Sequence, residues 1–224
     1  MNFSLWPQER GARLLVRLAI FAGFLYLALL DLRPWPGDVA LKTAFCLCLA
    51  ALAWRTGQRL LPLALAFASL GDALLGLDGQ RLFTAGLAAF LVMQLLYLVI
   101  FVRRGPPGRP VFWRLLAMAA TGAAAVIYLS ILWPRLGALA WPVGLYVAAI
   151  LAMALAAWNQ PGLAIPFGAT LFVISDALIA GGRFLALGPW TAQAIWATYA
   201  LAQILIVLGL TTANNRVDNP ERHT

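Results

Sequence analysis

The chain has 224 residues, 63% of them hydrophobic and only 11% charged. A water-soluble domain of this length needs a far more polar surface, so composition excludes that class and points to a membrane protein. The formal net charge of +8 would suit nucleic acid. The basic residues, however, sit at the ends of apolar segments, so we read them as topology signals and contacts to anionic headgroups, with membrane lipids as partners and no nucleic acid.

The N-terminal stretch "MNFSLWPQERGARLLVRLAIFAGFLYLALL" places basic residues before a long apolar run with no A-x-A-like cleavage site after it. It reads as a retained first helix. Eight apolar segments can be marked, at about 13–30, 39–54, 60–77, 82–102, 112–132, 137–157, 162–181 and 190–210. The breaks carry turn chemistry, as in "DLRPWPGD", "RTGQ", "RRGPPGRP" and "WNQPG". Backbone groups in lipid must be satisfied internally, so each segment is expected to be a helix. The expected fold class is all-α: a polytopic membrane protein built as a bundle of eight transmembrane helices. Residues 1–12 form the N-terminal arm, 13–210 one transmembrane domain, and 211–224 a polar tail.

Orientation follows from arginine. With the N-terminus in the cytoplasm, that side holds Arg10, Arg13, Arg17, Arg55, Arg59, Arg103, Arg104, Arg109, Arg114, Arg216 and Arg222. The other side holds only Arg33, Arg81, Arg135 and Arg183. Both termini are therefore expected to be cytoplasmic. Short loops and the Ala/Arg/Trp-rich composition suggest a bacterial inner (cytoplasmic) membrane.

Along the segments, the residues that carry chemistry are few. The second contains Lys42, the only lysine in the chain. It lies about one turn inside the outer end, where it either offsets a carboxylate or snorkels to the interface. Cys46 and Cys48 follow, too close for a usual disulfide or a metal knuckle, and read as apolar filler. The third segment contains Asp72, with Ser69 one turn before it on the same face. The fourth places Gln94 and Tyr97 on one face. Tyr146 lies in the middle of the sixth. The seventh contains Asp176, with Ser175 pointing elsewhere. The eighth places Tyr199 and Gln203 four apart. Singly, each of these neutral polar residues reads as a helix–helix hydrogen bond; together they give a bundle interior that is polar toward one side.

Asp72 and Asp176 stand apart from the other acids, which fall at segment ends or in tails. A carboxylate within a spanning helix costs roughly 2.5–3.5 kcal/mol on insertion scales, so it is turned inward and paired. Asp72 heads "DALLG" and Asp176 heads "DALIA", each four to six residues before the outer end of its segment. That likeness suggests two four-helix halves with both acids at one depth. The only histidine, His223, is in the tail, so a Ser–His arrangement inside the membrane is excluded. No metal spacing and no phosphate loop is present, and no metal or cofactor is expected. What remains is a pair of carboxyl groups in a low-dielectric site, where one holds a proton while the other stays ionised. That division of labour suits hydrolysis through an oxocarbenium-like state. The rival class is a proton- or cation-coupled transporter using the same two aspartates.

The blocks "FASLGDALL", "LFTAGLAAFLVMQLLY", "GLYVAAI", "GATLFVISDALIAGGRF" and "ATYALAQILI", in that order, resemble the YhhN family of eight-helix membrane proteins. The likeness runs from about Lys42 to Leu210. The resemblance implies a lysoplasmalogenase: hydrolysis of the vinyl ether bond of lysoplasmalogens to a fatty aldehyde and a glycerophospho-ethanolamine or -choline. It implies Asp72 and Asp176 as catalytic acids, with Lys42, Tyr146 and Tyr199 in the pocket and a lysophospholipid as the partner. Two departures stand out. Many members have a histidine where this chain has Gln94, and a proline often follows the lysine where this chain has "LKTA".

Overall fold

The computed structural model describes residues 6–77, 79–105 and 111–217. Asp78, Arg109, Asp218, Glu221, Arg222 and His223 lie outside the described residues, as does the end of the expected polar tail. Eight α-helices follow in chain order: α1 (Arg10–Leu29), α2 (Asp38–Arg55), α3 (Leu60–Leu75), α4 (Gln80–Arg104), α5 (Phe112–Leu132), α6 (Ala140–Trp158), α7 (Ala164–Phe184) and α8 (Thr191–Val217). Short 3-10 turns occupy Leu30–Leu32, Trp133–Arg135 and Gly137–Leu139, and no strand is present among the described residues. Each expected segment is thus a helix.

Local sequence explains the starts. Pro62, Pro142 and Pro166 are each the third residue of α3, α6 and α7. There the missing N–H removes no intrahelical bond. At α2, Gly37 takes φ +95° before the helix begins. Asp38 then accepts from the Val39 N–H (2.6 Å) and from Arg33 Nε (2.8 Å), an acid at the positive end of the helix dipole.

Six of the eight helices are long and apolar enough to cross a membrane: α1 and α4 through α8. The expectation of eight spans is narrowed for two. α2 carries three charged residues, Asp38, Lys42 and Arg55, in its 18 residues. α3 has only 16 residues, roughly 24 Å at 1.5 Å per residue against a ~30 Å hydrocarbon core. Large apolar side chains cover the outside of the helices, including Phe21, Phe24, Trp54, Phe112, Trp141 and Leu145. In water that would be costly; against lipid it costs nothing.

The chain divides into two compact units that do not coincide with its two sequence halves. One comprises residues 1–96 and 204–224, the other 97–203. In the first, α1 packs on α2 and α2 packs extensively on α3. Val16, Phe45, Leu49, Leu61, Leu65 and Met93 are fully buried there. Gly71 of α3 meets the Phe90 ring of α4 so closely that an added Cβ would lie 2.7 Å from it. In the second unit α6 packs on both α5 and α7. Leu132, Leu136 and Val143 form a small core there beneath Tyr128 and Phe184.

The helix ends place the two acids at different distances from the ends of their own helices. Asp72 lies three residues before the end of α3, and its carbonyl accepts the Gly76 N–H that closes the helix. Asp176 lies eight residues before the end of α7. Measured from their own helix ends, they differ by about 7.5 Å. The Gly181–Gly182 pair does not break α7: the Leu185 N–H still reaches the Gly181 carbonyl at 2.9 Å.

Candidate functional site

Two polar clusters sit in otherwise apolar helices, one in each unit. The first is built on the α2–α3 pair. Asp72 is 1% exposed, and both of its carboxylate oxygens are engaged. Lys42 Nζ lies 3.0 Å from Oδ1. The Cys46 thiol donates to Oδ2 at 3.6 Å. Lys42 and Cys46 are four apart, one turn of α2, so both project toward α3. Of the two readings of Lys42, charge compensation is the one realised. Its side chain is only 16% exposed, too little for free snorkelling. Ser69 is buried one turn before Asp72, its hydroxyl 3.4 Å from the Thr43 carbonyl. It ties α3 to α2 beside the ion pair. The buried Tyr26 of α1 lies within electrostatic range of Lys42 and Asp72.

A buried ion pair gains little net stability, because desolvation offsets attraction. Removing one partner, though, strands the other and costs about 3–5 kcal/mol. The pair therefore fixes α2 and α3 in one register and holds a charge-bearing carboxylate where lipid surrounds the helices.

The second cluster is centred on α7. The Tyr146 hydroxyl of α6 donates to Asp176 Oδ2 at 2.5 Å. Asp176 is half-buried. Around it α7 is anchored by other side chains. The Tyr128 hydroxyl of α5 donates to the Ala177 carbonyl at 2.7 Å. Gly181 leaves the space this phenol needs, since a Cβ there would lie 2.6 Å from its oxygen. Ser175 points away from Asp176, as its place on the helix demands, and donates to the Ile195 carbonyl of α8 at 3.1 Å. Tyr199 is buried against Phe172 and Trp196, with ring centroids 5.4 and 5.6 Å away. Asp176 thus rides on a helix held from α5, α6 and α8.

The remaining expected residues are placed as follows. Tyr97 donates to Gln203 Oε1 at 2.5 Å, joining α4 to α8 in the second unit. Both are fully buried. Gln94, one turn before Tyr97 on α4, is also 0% exposed. Neither its Oε1 nor its Nε2 has a hydrogen-bond partner among the described residues. Each such orphan costs on the order of 1–3 kcal/mol. No group of three His, Cys, Asp or Glu side chains is placed to hold a metal among the described residues.

Sequence reading missed several participants. Cys46 reads as filler by composition, yet its four-residue offset from Lys42 puts it on the lysine's face. Tyr128 and Arg114 act on backbone carbonyls, which no motif advertises. Arg114, a topology signal by sequence, clamps the end of α6: it donates to the carbonyls of Trp158 (3.1 Å), Gln160 (2.6 Å) and Gly162 (2.7 Å).

The YhhN family model matches residues 37–210. A Mycobacterium bovis protein named lysoplasmalogenase is 32% identical over a 241-residue alignment, which covers 95% of this chain and 91% of that protein. The Bos taurus protein named lysoplasmalogenase TMEM86A is 33% identical over 197 residues, 78% of each chain. Its Homo sapiens namesake is 32% identical over 194 residues, again 78% of each. No solved structure matches. The family resemblance read from the aspartate blocks is borne out.

Proposed function

The chain belongs to the YhhN family, and from that premise we propose that it is a membrane hydrolase of the lysoplasmalogenase type, cleaving the vinyl ether bond of a lysophospholipid. The relatives' names support the reaction class. The observation that carries the residue assignment is the buried Asp72 carboxylate, met on one oxygen by Lys42 and on the other by Cys46. The carrier alternative gains no support from relatives that are named lysoplasmalogenase.

The chemistry asks for two carboxyl groups in different states. A vinyl ether is cleaved when an acid protonates its β-carbon, giving an oxocarbenium ion. Water adds to that cation, and the hemiacetal collapses to aldehyde and alcohol. An ammonium–carboxylate pair is already a neutral unit, so we assign Asp72 the ionised role: it stabilises the cation and takes the proton of the attacking water. Asp176 takes the acid's role. The Tyr146 hydroxyl on Oδ2 fixes the orientation of that carboxyl. Lys42, Cys46 and Tyr146 are positioning residues in this scheme. Tyr199, Ser69, Tyr97 and Gln203 stabilise the helices that carry the acids.

The topology follows the arginine bias, with both termini in the cytoplasm of a bacterial inner membrane and the substrate's headgroup on the outer side. The direct test is mass spectrometry of the products from alkenyl-, alkyl- and acyl-lysolipids incubated with the purified protein in detergent. Aldehyde from the alkenyl lipid alone is the expected result. Aldehyde from none, with lipid transported intact in proteoliposomes, would restore the carrier reading.

A further inference from the structure

The Gln94 carboxamide is fully buried and neither of its polar atoms has a protein partner among the described residues. It lies fourteen residues into the 25-residue helix α4, far from either end. Water at the membrane surface therefore does not reach it. Its neighbours on α4 do not compete for it: Met93 is apolar and fully buried, and Tyr97, one turn on, already donates to Gln203. The large majority of buried polar side-chain atoms in folded proteins are satisfied, by protein or by a bound molecule, and Gln94 is the amide here with both polar atoms unmet among the described residues. An amide whose NH2 group and carbonyl oxygen are both without a protein partner selects a partner that both accepts and donates. A hydroxyl does so; an ester carbonyl, an ether oxygen or a hydrocarbon chain does not.

We infer that Gln94 is a binding group for a hydroxyl within the bundle, its Nε2–H donating to the hydroxyl oxygen and its Oε1 accepting the hydroxyl proton. Two sources share this chemistry. One is an internal water. The other is the free glycerol hydroxyl that distinguishes a lysolipid from a diradyl lipid; that source rests on the function proposed above, whereas the water does not. In the second case Gln94 sets the preference for lyso substrates. An acylated hydroxyl would return an acceptor without a donor, leaving Oε1 orphaned.

Neither arm of the test depends on turnover. In the first, the substrate-free full chain in detergent is exposed to radiolytic hydroxyl radicals, and methionine oxidation is read by mass spectrometry. Met93 and Met153 are both 0% exposed, so bulk solvent reaches neither. A water on Gln94 predicts oxidation of Met93 at least fivefold above Met153, and its loss in Gln94→Met. In the second, binding of a saturated alkyl-lysolipid is compared with that of its 2-O-methyl analogue. A lipid hydroxyl on Gln94 predicts at least a tenfold preference for the free hydroxyl, abolished in Gln94→Met and kept in Gln94→His, which retains a donor and an acceptor. Either result alone supports the inference and names the source. Equal oxidation of the two methionines in the wild-type protein, together with no preference between the two lipids, overturns it even if no variant folds. Vinyl ether turnover, measured separately on the wild type, reports on the proposed reaction and leaves both arms readable.

Discussion

Lys42 of α2 and Asp72 of α3 form an ion pair of 3.0 Å within the apolar core of one compact unit, with the carboxylate 1% exposed. The only lysine of the chain is thus matched to one of the two acids that interrupt its apolar segments. If Asp72 is the ionised carboxylate of the reaction, Asp72→Asn removes turnover and strands a buried ammonium as well. Asp176→Asn removes turnover alone, because its Tyr146 partner can still donate to the amide oxygen. We expect each variant to release aldehyde at least 100-fold more slowly than the wild type. Full aldehyde release by both variants would sink the catalytic assignment.

The same pair gives a stability prediction that is independent of activity. Lys42→Met leaves a buried carboxylate uncompensated and should cost about 3–5 kcal/mol, as should Asp72→Asn. The double variant removes both charges and should recover most of that loss while remaining inactive. A double-mutant cycle on detergent-solubilised protein, read by reversible unfolding, measures the coupling. Additive losses in the cycle would show that the two groups do not depend on one another.

The architecture was legible because its causes are local. Apolar length, turn residues and the cost of backbone polar groups in lipid mark eight helices, and the described residues form eight. The acids were legible for the same reason, since a carboxylate in an apolar run needs an explanation. Helix ends were harder. The seventh apolar segment reads as ending at 181, yet the α7 ladder continues through Gly181 and Gly182 to Phe184, so Asp176 lies eight residues from the end of its helix. The pairings were only partly legible. Lys42 had two physically sensible destinations, and only the packing of α2 on α3 decides between them. Spacing puts Cys46 on the face of Lys42 but does not name Asp72 as its partner, and Tyr146 reveals itself only by its partner on α7.

Tyr146 offers a cleaner probe than either acid. Tyr146→Phe removes one hydroxyl and its hydrogen bond to Asp176 and keeps the ring. A neutral hydrogen bond is worth about 0.5–1.5 kcal/mol, so the fold should persist with a small loss in thermal stability. If the bond orients the acid, kcat should fall tenfold or more while KM for the alkenyl lysolipid changes little. A rise in KM with kcat unchanged would instead make the tyrosine a substrate contact.

The glycine before Asp72 is expected to matter through packing alone. A Cβ on Gly71 would lie 2.7 Å from the Phe90 ring, closer than side-chain carbons approach one another. Phe90 is buried, 6% exposed, so its ring has little room to retreat. Overpacking of this kind costs about 1–3 kcal/mol, so Gly71→Ala should lower the unfolding midpoint measurably. It also pushes α3 away from α4 directly beside the ion pair, so activity should fall with stability. Shortening the opposing side chain relieves the clash: Gly71→Ala combined with Phe90→Leu should recover stability relative to Gly71→Ala alone. Recovery of stability without recovery of turnover would mean that the lost Phe90 ring, and not the position of α3, limits the reaction. No recovery at all would show that the glycine serves its backbone and not its neighbour.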